Sequence, residues 1–125
     1  MSDRLLVVED NKTLAKLIAL RLRNALKVEV DVAHSLSEAK LFFARYKYFI
    51  TLLDVNLPDA PDGEIIDYAL SKENHVIVLS GNIDKEFRKK ILRKKIIDYV
   101  SKSGKDDIDY VISTIERLKK NQKHK

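Results

Sequence analysis

Leu5-Leu6-Val7-Val8-Glu9-Asp10-Asn11 is the stretch on which the fold turns. Four consecutive apolar residues bounded by Arg4 and two acids read as a short strand buried on both faces, because a strand with one wet face would alternate. The run then delivers its charges at its C-terminal end. The same layout recurs downstream. Phe49-Ile50-Thr51-Leu52-Leu53 ends at Asp54, His75-Val76-Ile77-Val78-Leu79 ends at Ser80, and the weaker Ile96-Ile97-Asp98-Tyr99-Val100 leads to Lys102. Val28-Glu29-Val30-Asp31-Val32 alternates strictly and predicts a strand near a sheet edge.

Helical patterns fill the intervals. Leu14, Leu17, Ile18, Leu22, Ala25 and Leu26 recur at helical spacing. Ser35-Leu36-Ser37-Glu38 has the form of a capping box and opens a second helix to about Tyr46. A loop through Pro58, Pro61 and Gly63 precedes a short helix marked by Ile65, Ile66, Ala69 and Leu70. A fourth helix is predicted from about Asp84 to Arg93. Ser103 is positioned to cap a fifth, with Ile108, Val111, Ile112 and Ile115 as its buried stripe. Strands alternating with helices predict a single α/β domain with a parallel sheet covered on both faces, doubly wound. Its boundaries are taken as residues 1–118, with 119–125 a polar helix end or linker. Open sheets of this kind bind ligands beyond the C-terminal ends of their strands, where Glu9, Asp10, Asp54, Ser80 and Lys102 all fall.

Three carboxylates converging on one site would repel. A like-charge pair at about 4 Å costs on the order of 4 kcal/mol at an effective dielectric near 20. Either one acid takes a proton or a cation occupies the site. An oxygen-only donor set favours Mg²⁺, Mn²⁺ or Ca²⁺ over zinc, and Lys102 adds a fixed positive charge. A carboxylate so balanced can attack phosphorus, and phosphoryl transfer needs chiefly positioning and neutralisation of the phosphoryl oxygens. Asp54, ending the strand expected at the centre of the sheet, is the best nucleophile.

With LLVVEDN (5–11), LLDVNLP (52–58), VIVLSGN (76–82) and YVSKSG (99–104) in this order, the chain resembles a response-regulator receiver domain of two-component signalling over essentially its whole length. The resemblance implies a flavodoxin-like (βα)5 fold with strand order 2-1-3-4-5. It implies that Asp54 is the phosphoacceptor, and that Glu9, Asp10, Asp54 and the backbone carbonyl of Asn56 hold Mg²⁺, with Mn²⁺ or Ca²⁺ as substitutes. Lys102 would pair with the phosphoryl group, Ser80 would be the switch hydroxyl and Tyr99 the switch aromatic. The implied donor is a sensor histidine kinase or a phosphotransfer protein, and the implied location is cytoplasmic. The domain would catalyse only its own phosphorylation and dephosphorylation, and so is not expected to be an enzyme acting on a free metabolite. An output domain in a longer chain is expected, as is a phosphorylation-dependent homodimer through the fourth helix, fifth strand and fifth helix.

The chain departs from the family at Ser103, where many members carry proline after the lysine. A cis bond there would cost about 3–4 kcal/mol without proline, so either a trans peptide or a strained loop is expected. Asn56 and Asn82, each two residues past a site residue, can position water but supply no general base.

Two other readings compete. A phosphatase of the haloacid-dehalogenase type wants a second aspartate where Asn56 stands. A receiver-like interaction domain that takes no phosphate remains the alternative. Nucleotide binding lacks support, since no glycine-rich loop follows the first strand.

Composition narrows the partners. The 125 residues carry a net charge of +5, but four lysines lie in the last seven residues, so residues 1–118 carry only +1. No direct nucleic-acid binding by this domain is expected. The basic run Lys85, Arg88, Lys89, Lys90, Arg93, Lys94 and Lys95 is either a solvated face or a docking face, which acids at Asp98, Asp106, Asp107 and Asp109 would complement across a symmetric dimer. The absence of cysteine excludes disulfides and fits a reducing compartment. No stretch has the roughly 20 apolar residues of a membrane span, and a signal peptide is not expected.

Overall fold

The computed structural model describes residues 3–81, 83–102 and 106–123, with the side chains of 106 and 123 excepted. Its elements alternate strictly: β1 (Leu5–Val8), α1 (Lys12–Leu26), β2 (Val30–Ala33), α2 (Leu36–Arg45), β3 (Ile50–Leu53), α3 (Glu64–Ser71), β4 (His75–Ser80), α4 (Lys85–Leu92), β5 (Asp98–Ser101) and α5 (Asp106–Lys123). The five strands form one parallel sheet in the order β2-β1-β3-β4-β5, as the resemblance implies.

The period-two geometry of strands divides the core in two. Leu5, Val7, Ile50, Leu52, Ile77, Leu79 and Val100 face one side, against Ile18, Ala19, Leu22 and Leu26 of α1 and Val111, Ile112 and Ile115 of α5. Leu6, Val8, Leu53, Val76 and Val78 face the other, against Ala39 of α2, Ile65, Ile66 and Ala69 of α3 and Ile91 of α4. A strand covered on both sides needs apolar residues at consecutive positions, which is the pattern of β1 and, apart from the buried Thr51 whose hydroxyl donates to Asn74 Oδ1 (3.2 Å), of β3.

Three expectations need correction. The buried stripe of α1 is Ala15, Ile18, Ala19, Leu22 and Leu26, while Leu17 is 56% exposed and Ala25 faces solvent. Leu17 and Ala25 each lie one position beside the i, i+3, i+4 row that meets the sheet. β2 starts at Val30, not Val28, because α1 ends in Lys27 with left-handed backbone (φ 55°), and the chain must still reverse. β5 is Asp98–Ser101, not Ile96–Val100. It is an edge strand, and there the ladder with β4, rather than apolarity, sets the bounds: Ile77 pairs with Asp98 and Ser80 with Ser101. The cap at Ser103, the Lys102–Ser103 peptide and Asn82 lie outside the described residues.

Capping holds the helix starts. Asn11 Oδ1 accepts from the Leu14 N–H, Ser35 Oγ from Glu38, and Asp84 Oδ1 from Phe87. The box at Ser35 closes one residue early, since the Glu38 carboxylate accepts from the His34 N–H at 3.4 Å. Gly63 precedes α3 with φ +76°, and a Cβ there would lie 3.1 Å from Phe87 Cζ. Gly63→Ala is therefore expected to lose about 1–2 kcal/mol from the left-handed backbone alone, read as a lower midpoint in urea unfolding.

Asp59, in the β3–α3 loop, ties that loop to α2. It accepts from the Leu36 N–H (2.9 Å), the Ser37 N–H (3.0 Å) and the Ser37 hydroxyl (3.1 Å). These bonds, the Ser37 amide first and the Leu36 amide next, hold its pKa below the usual value. A depressed carboxylate stabilises the fold above its unfolded pKa, and that contribution fades as pH falls through the folded value. The stability gap between the wild type and Asp59→Asn is thus expected to close on acidification below about pH 4, as thermal melts across pH will show.

At the opposite end of the sheet, Tyr48 donates its hydroxyl to Asp31 Oδ2 (2.7 Å), and Arg4 Nη1 pairs with the same carboxylate (2.9 Å). Burial, then the Asp31 contact, pushes the Tyr48 pKa up.

Candidate functional site

Every strand that carries a candidate residue ends on the same edge of the sheet. Asp54 follows the central strand β3, Glu9 and Asp10 follow β1, Ser80 closes β4 and Lys102 follows β5. Ladder bonds continue into these residues. The Asp54 N–H donates to Val8 C=O (2.9 Å), the Glu9 N–H to Ala33 C=O (3.0 Å) and the Lys102 N–H to Ser80 C=O (2.8 Å). The spacing of the reactive groups is consequently the spacing of neighbouring strands.

The side chains converge. Lys102 Nζ bridges two carboxylates, donating to Asp54 Oδ2 at 2.8 Å and to Glu9 Oε1. The other Asp54 oxygen accepts from the Ser80 hydroxyl (3.1 Å) and the Asn56 N–H (3.0 Å). Glu9 Oε2 accepts from the Asn11 N–H (3.1 Å). Glu9 is 3% exposed, Asp54 6% and Ser80 0%, so the pairings are made largely out of water. Asp10 and Asn56 are exposed at the mouth. Glu9 has a raised pKa because burial outweighs the ammonium of Lys102 and the Asn11 amide. Lys102 also has a raised pKa: burial opposes its charge, but the bonds to Asp54 and Glu9 together prevail. The sequence-based choice between a protonated acid and a bound cation thus has a further element, since the ammonium itself sits between two of the acids.

Oxygens of Glu9, Asp10 and Asp54 lie within 4.8 Å of one another. Three carboxylates, two of them buried and one open to solvent, make an oxygen-only set that fits a hard divalent cation.

Tyr99 lies on β5, half-buried against the second core face. The Arg88 guanidinium stands 5.5 Å from its ring centre. Its pKa is raised by burial first, with Arg88 opposing and the Asp54 charge reinforcing. Of the acids expected to complement α4 across a dimer, Asp109 pairs with Arg21 and Asp98 accepts from the Tyr110 hydroxyl within the same chain. In the basic run itself, Lys94 reaches Asp67 (2.8 Å) and Lys89 reaches Glu86 (3.7 Å).

One neighbour of the site escapes sequence reasoning. His34, the residue after β2, lies at the same edge with Nδ1 2.9 Å from the Glu9 carbonyl oxygen. A lone histidine beside a capping serine carries no signal of that contact; only the parallel pairing of β1 with β2 brings it there.

Comparison with solved structures agrees with this architecture. A response regulator receiver protein from Pseudomonas putida superposes with a TM-score of 0.82 at 21% identity, covering 94% of this chain and 98% of that one. A receiver domain protein from Methanospirillum hungatei gives 0.81 at 20% identity, with complete coverage of both chains. A putative two-component system response regulator/GGDEF domain protein gives 0.83 at 28% identity; 97% of this chain matches 49% of that longer one. No curated protein matches the chain. Among the described residues, no helix is long and apolar enough to cross a membrane. The model of the response regulator receiver domain matches residues 5–113, from the first residue of β1 into α5, and so takes in all four strand ends that build the site: the chain belongs to that family.

Proposed function

We propose that this domain accepts a phosphoryl group on Asp54 from the phosphohistidine of a sensor histidine kinase or phosphotransfer protein, and that the modification switches a binding face. The observation that carries this reading is the environment of one carboxylate: Asp54, almost fully buried, with Lys102 on one oxygen and Ser80 and the Asn56 amide on the other.

In the transfer, an Asp54 oxygen attacks phosphorus, the P–N bond to the donor imidazole breaks, and the imidazole leaves carrying its electron pair to be protonated. The new P–O bond makes an acyl phosphate. Glu9, Asp10, Asp54 and the Asn56 carbonyl would hold Mg²⁺, for which Mn²⁺ or Ca²⁺ can substitute, and the ion would neutralise charge on the phosphoryl oxygens. Lys102 holds the nucleophile in place at 2.8 Å, then has an ammonium ready for a phosphoryl oxygen. Hydrolysis restores the carboxylate, so the domain catalyses only its own modification and release.

The switch follows from charge. Phosphorylation adds negative charge and acceptor oxygens at Asp54. Ser80 turns its hydroxyl to them and gives up its bond to Oδ1. Tyr99 then moves inward, altering the face made by α4, β5 and α5. The neighbour whose name includes a GGDEF domain supports an output domain in a longer chain.

Acetyl phosphate with Mg²⁺ tests the reading. Intact-mass measurement is expected to show a gain of one phosphoryl group, suppressed by EDTA. No gain with acetyl phosphate or with a phosphorylated histidine kinase would overturn it, and would leave an interaction domain that takes no phosphate.

A further inference from the structure

Glu9 is held at every polar atom it has. Its N–H donates to Ala33 C=O (3.0 Å), and its carboxylate oxygens accept from Lys102 Nζ and from the Asn11 N–H. Its carbonyl oxygen meets His34 Nδ1 at 2.9 Å. A carbonyl oxygen can only accept, so Nδ1 carries the hydrogen and donates. That carbonyl belongs to the peptide joining Glu9 to Asp10. The peptide is planar, so fixing its oxygen also fixes the nitrogen and Cα from which the Asp10 side chain departs. Asp10 needs such help most: Glu9 and Asp54 are buried, but Asp10 is exposed at the mouth.

The backbone of His34 is itself anchored. It follows Ala33 at the end of β2, its main-chain N–H donates to Glu38 Oε1 (3.4 Å), and the turn it begins is bound to the β3–α3 loop by Asp59 at the Leu36 and Ser37 amides. The β2–α2 turn thereby touches both the loop bearing Glu9 and Asp10 and the loop that follows Asp54.

We propose that His34 is a positioning residue for the divalent-cation site: its Nδ1–H fixes the Glu9–Asp10 peptide so that the Asp10 carboxylate is presented to the ion alongside Glu9 and Asp54. The inference rests on the cation reading given above. Outer contacts of this kind typically cost 10–100-fold in metal affinity when removed, and a single bond to a ligand's backbone belongs at the low end.

The test is calorimetric titration of MgCl₂ into the wild type, His34→Leu and His34→Asn. Leucine fills the space without a donor, whereas asparagine carries an amide N–H close to the place of Nδ1. His34→Leu is expected to bind Mg²⁺ about tenfold more weakly, with an altered ¹⁵N shift at the Asp10 amide. His34→Asn should restore most of the affinity and the shift. His34→Ala, which cannot overfill the site, carries the same expectation as leucine and decides the matter if that variant does not fold. Wild-type affinity in the leucine or alanine variant would overturn the inference, as would an asparagine variant as weak as they are. A wild type that binds no Mg²⁺ would defeat the cation reading and this inference with it, whereas equal binding by all variants defeats the inference alone.

Discussion

Asp54→Asn is expected to abolish phosphoryl uptake from acetyl phosphate while leaving the fold nearly as stable as the wild type. An amide oxygen lacks the charge to attack phosphorus, and among the described residues no other carboxylate is placed as Asp54 is, between an ammonium and a hydroxyl at the end of the central strand. The fold should tolerate the change. The asparagine Oδ1 can still accept from the Ser80 hydroxyl and the Asn56 N–H, which now meet at one Asp54 oxygen. On the other side, Lys102 would face an amide NH₂, a donor against a donor, but it keeps Glu9. The substitution also takes one carboxylate out of a cluster of three, which lessens the repulsion among like charges. Intact-mass analysis and a thermal melt, run side by side, check both halves. A phosphoryl gain in the variant would assign the acceptor role to another acid.

Lys102→Met should have the opposite signature, damaging stability as well as chemistry. Methionine retains much of the apolar stem but leaves Glu9 and Asp54 facing each other with no cation between them. Breaking a buried pair by removing one partner costs about 3 kcal/mol, measured as urea unfolding in EDTA. Mg²⁺ should recover part of that loss by returning positive charge to the acids. Acidification should also help, and the sign follows from Glu9. Its pKa is already raised by burial against the pull of Lys102, and without the ammonium it rises further. The folded state then binds the proton more tightly than the unfolded chain, so stability falls as pH climbs from the ordinary glutamate value through the folded one. The deficit of the variant relative to wild type is therefore largest at neutral pH and shrinks toward pH 4–5, roughly where free carboxylates titrate. A deficit independent of both pH and Mg²⁺ would mean that the lysine acts through packing alone.

Much of this architecture can be read from the chain because the two faces of the sheet demand it. Four consecutive apolar residues at Leu5–Val8, and the run Ile50–Leu53 broken only by Thr51, are what a strand covered on both sides requires, and the strands they predict are present. The site was legible for a related reason: a residue at or directly after the C-terminal end of a paired strand has little choice of position, so Glu9, Asp54, Ser80 and Lys102 converge once the strands are parallel. What the chain does not display is whatever depends on distant pairing. Ile96 and Ile97 look like the start of β5, but on an edge strand hydrogen bonding to β4 sets the limits, and the ladder belongs to Asp98–Ser101. Leu17 looks buried by spacing and faces water. The contacts of His34 with Glu9, Asp59 with α2 and Tyr48 with Asp31 join residues 17 to 25 positions apart. Each is a single polar letter in a loop or at an element's end, with nothing local to mark it.

The extension of ladder hydrogen bonds into Glu9, Asp54 and Lys102 has a wider consequence. The reaction apparatus is welded to the innermost layer, and the outward sides of the five helices contribute almost nothing to it. If the domain works as proposed, those outer surfaces can be rewritten for a different phosphodonor or target without recalibrating the chemistry beneath. On that reading, two inventions, whom to listen to and what to do, are separable from the act of carrying the message.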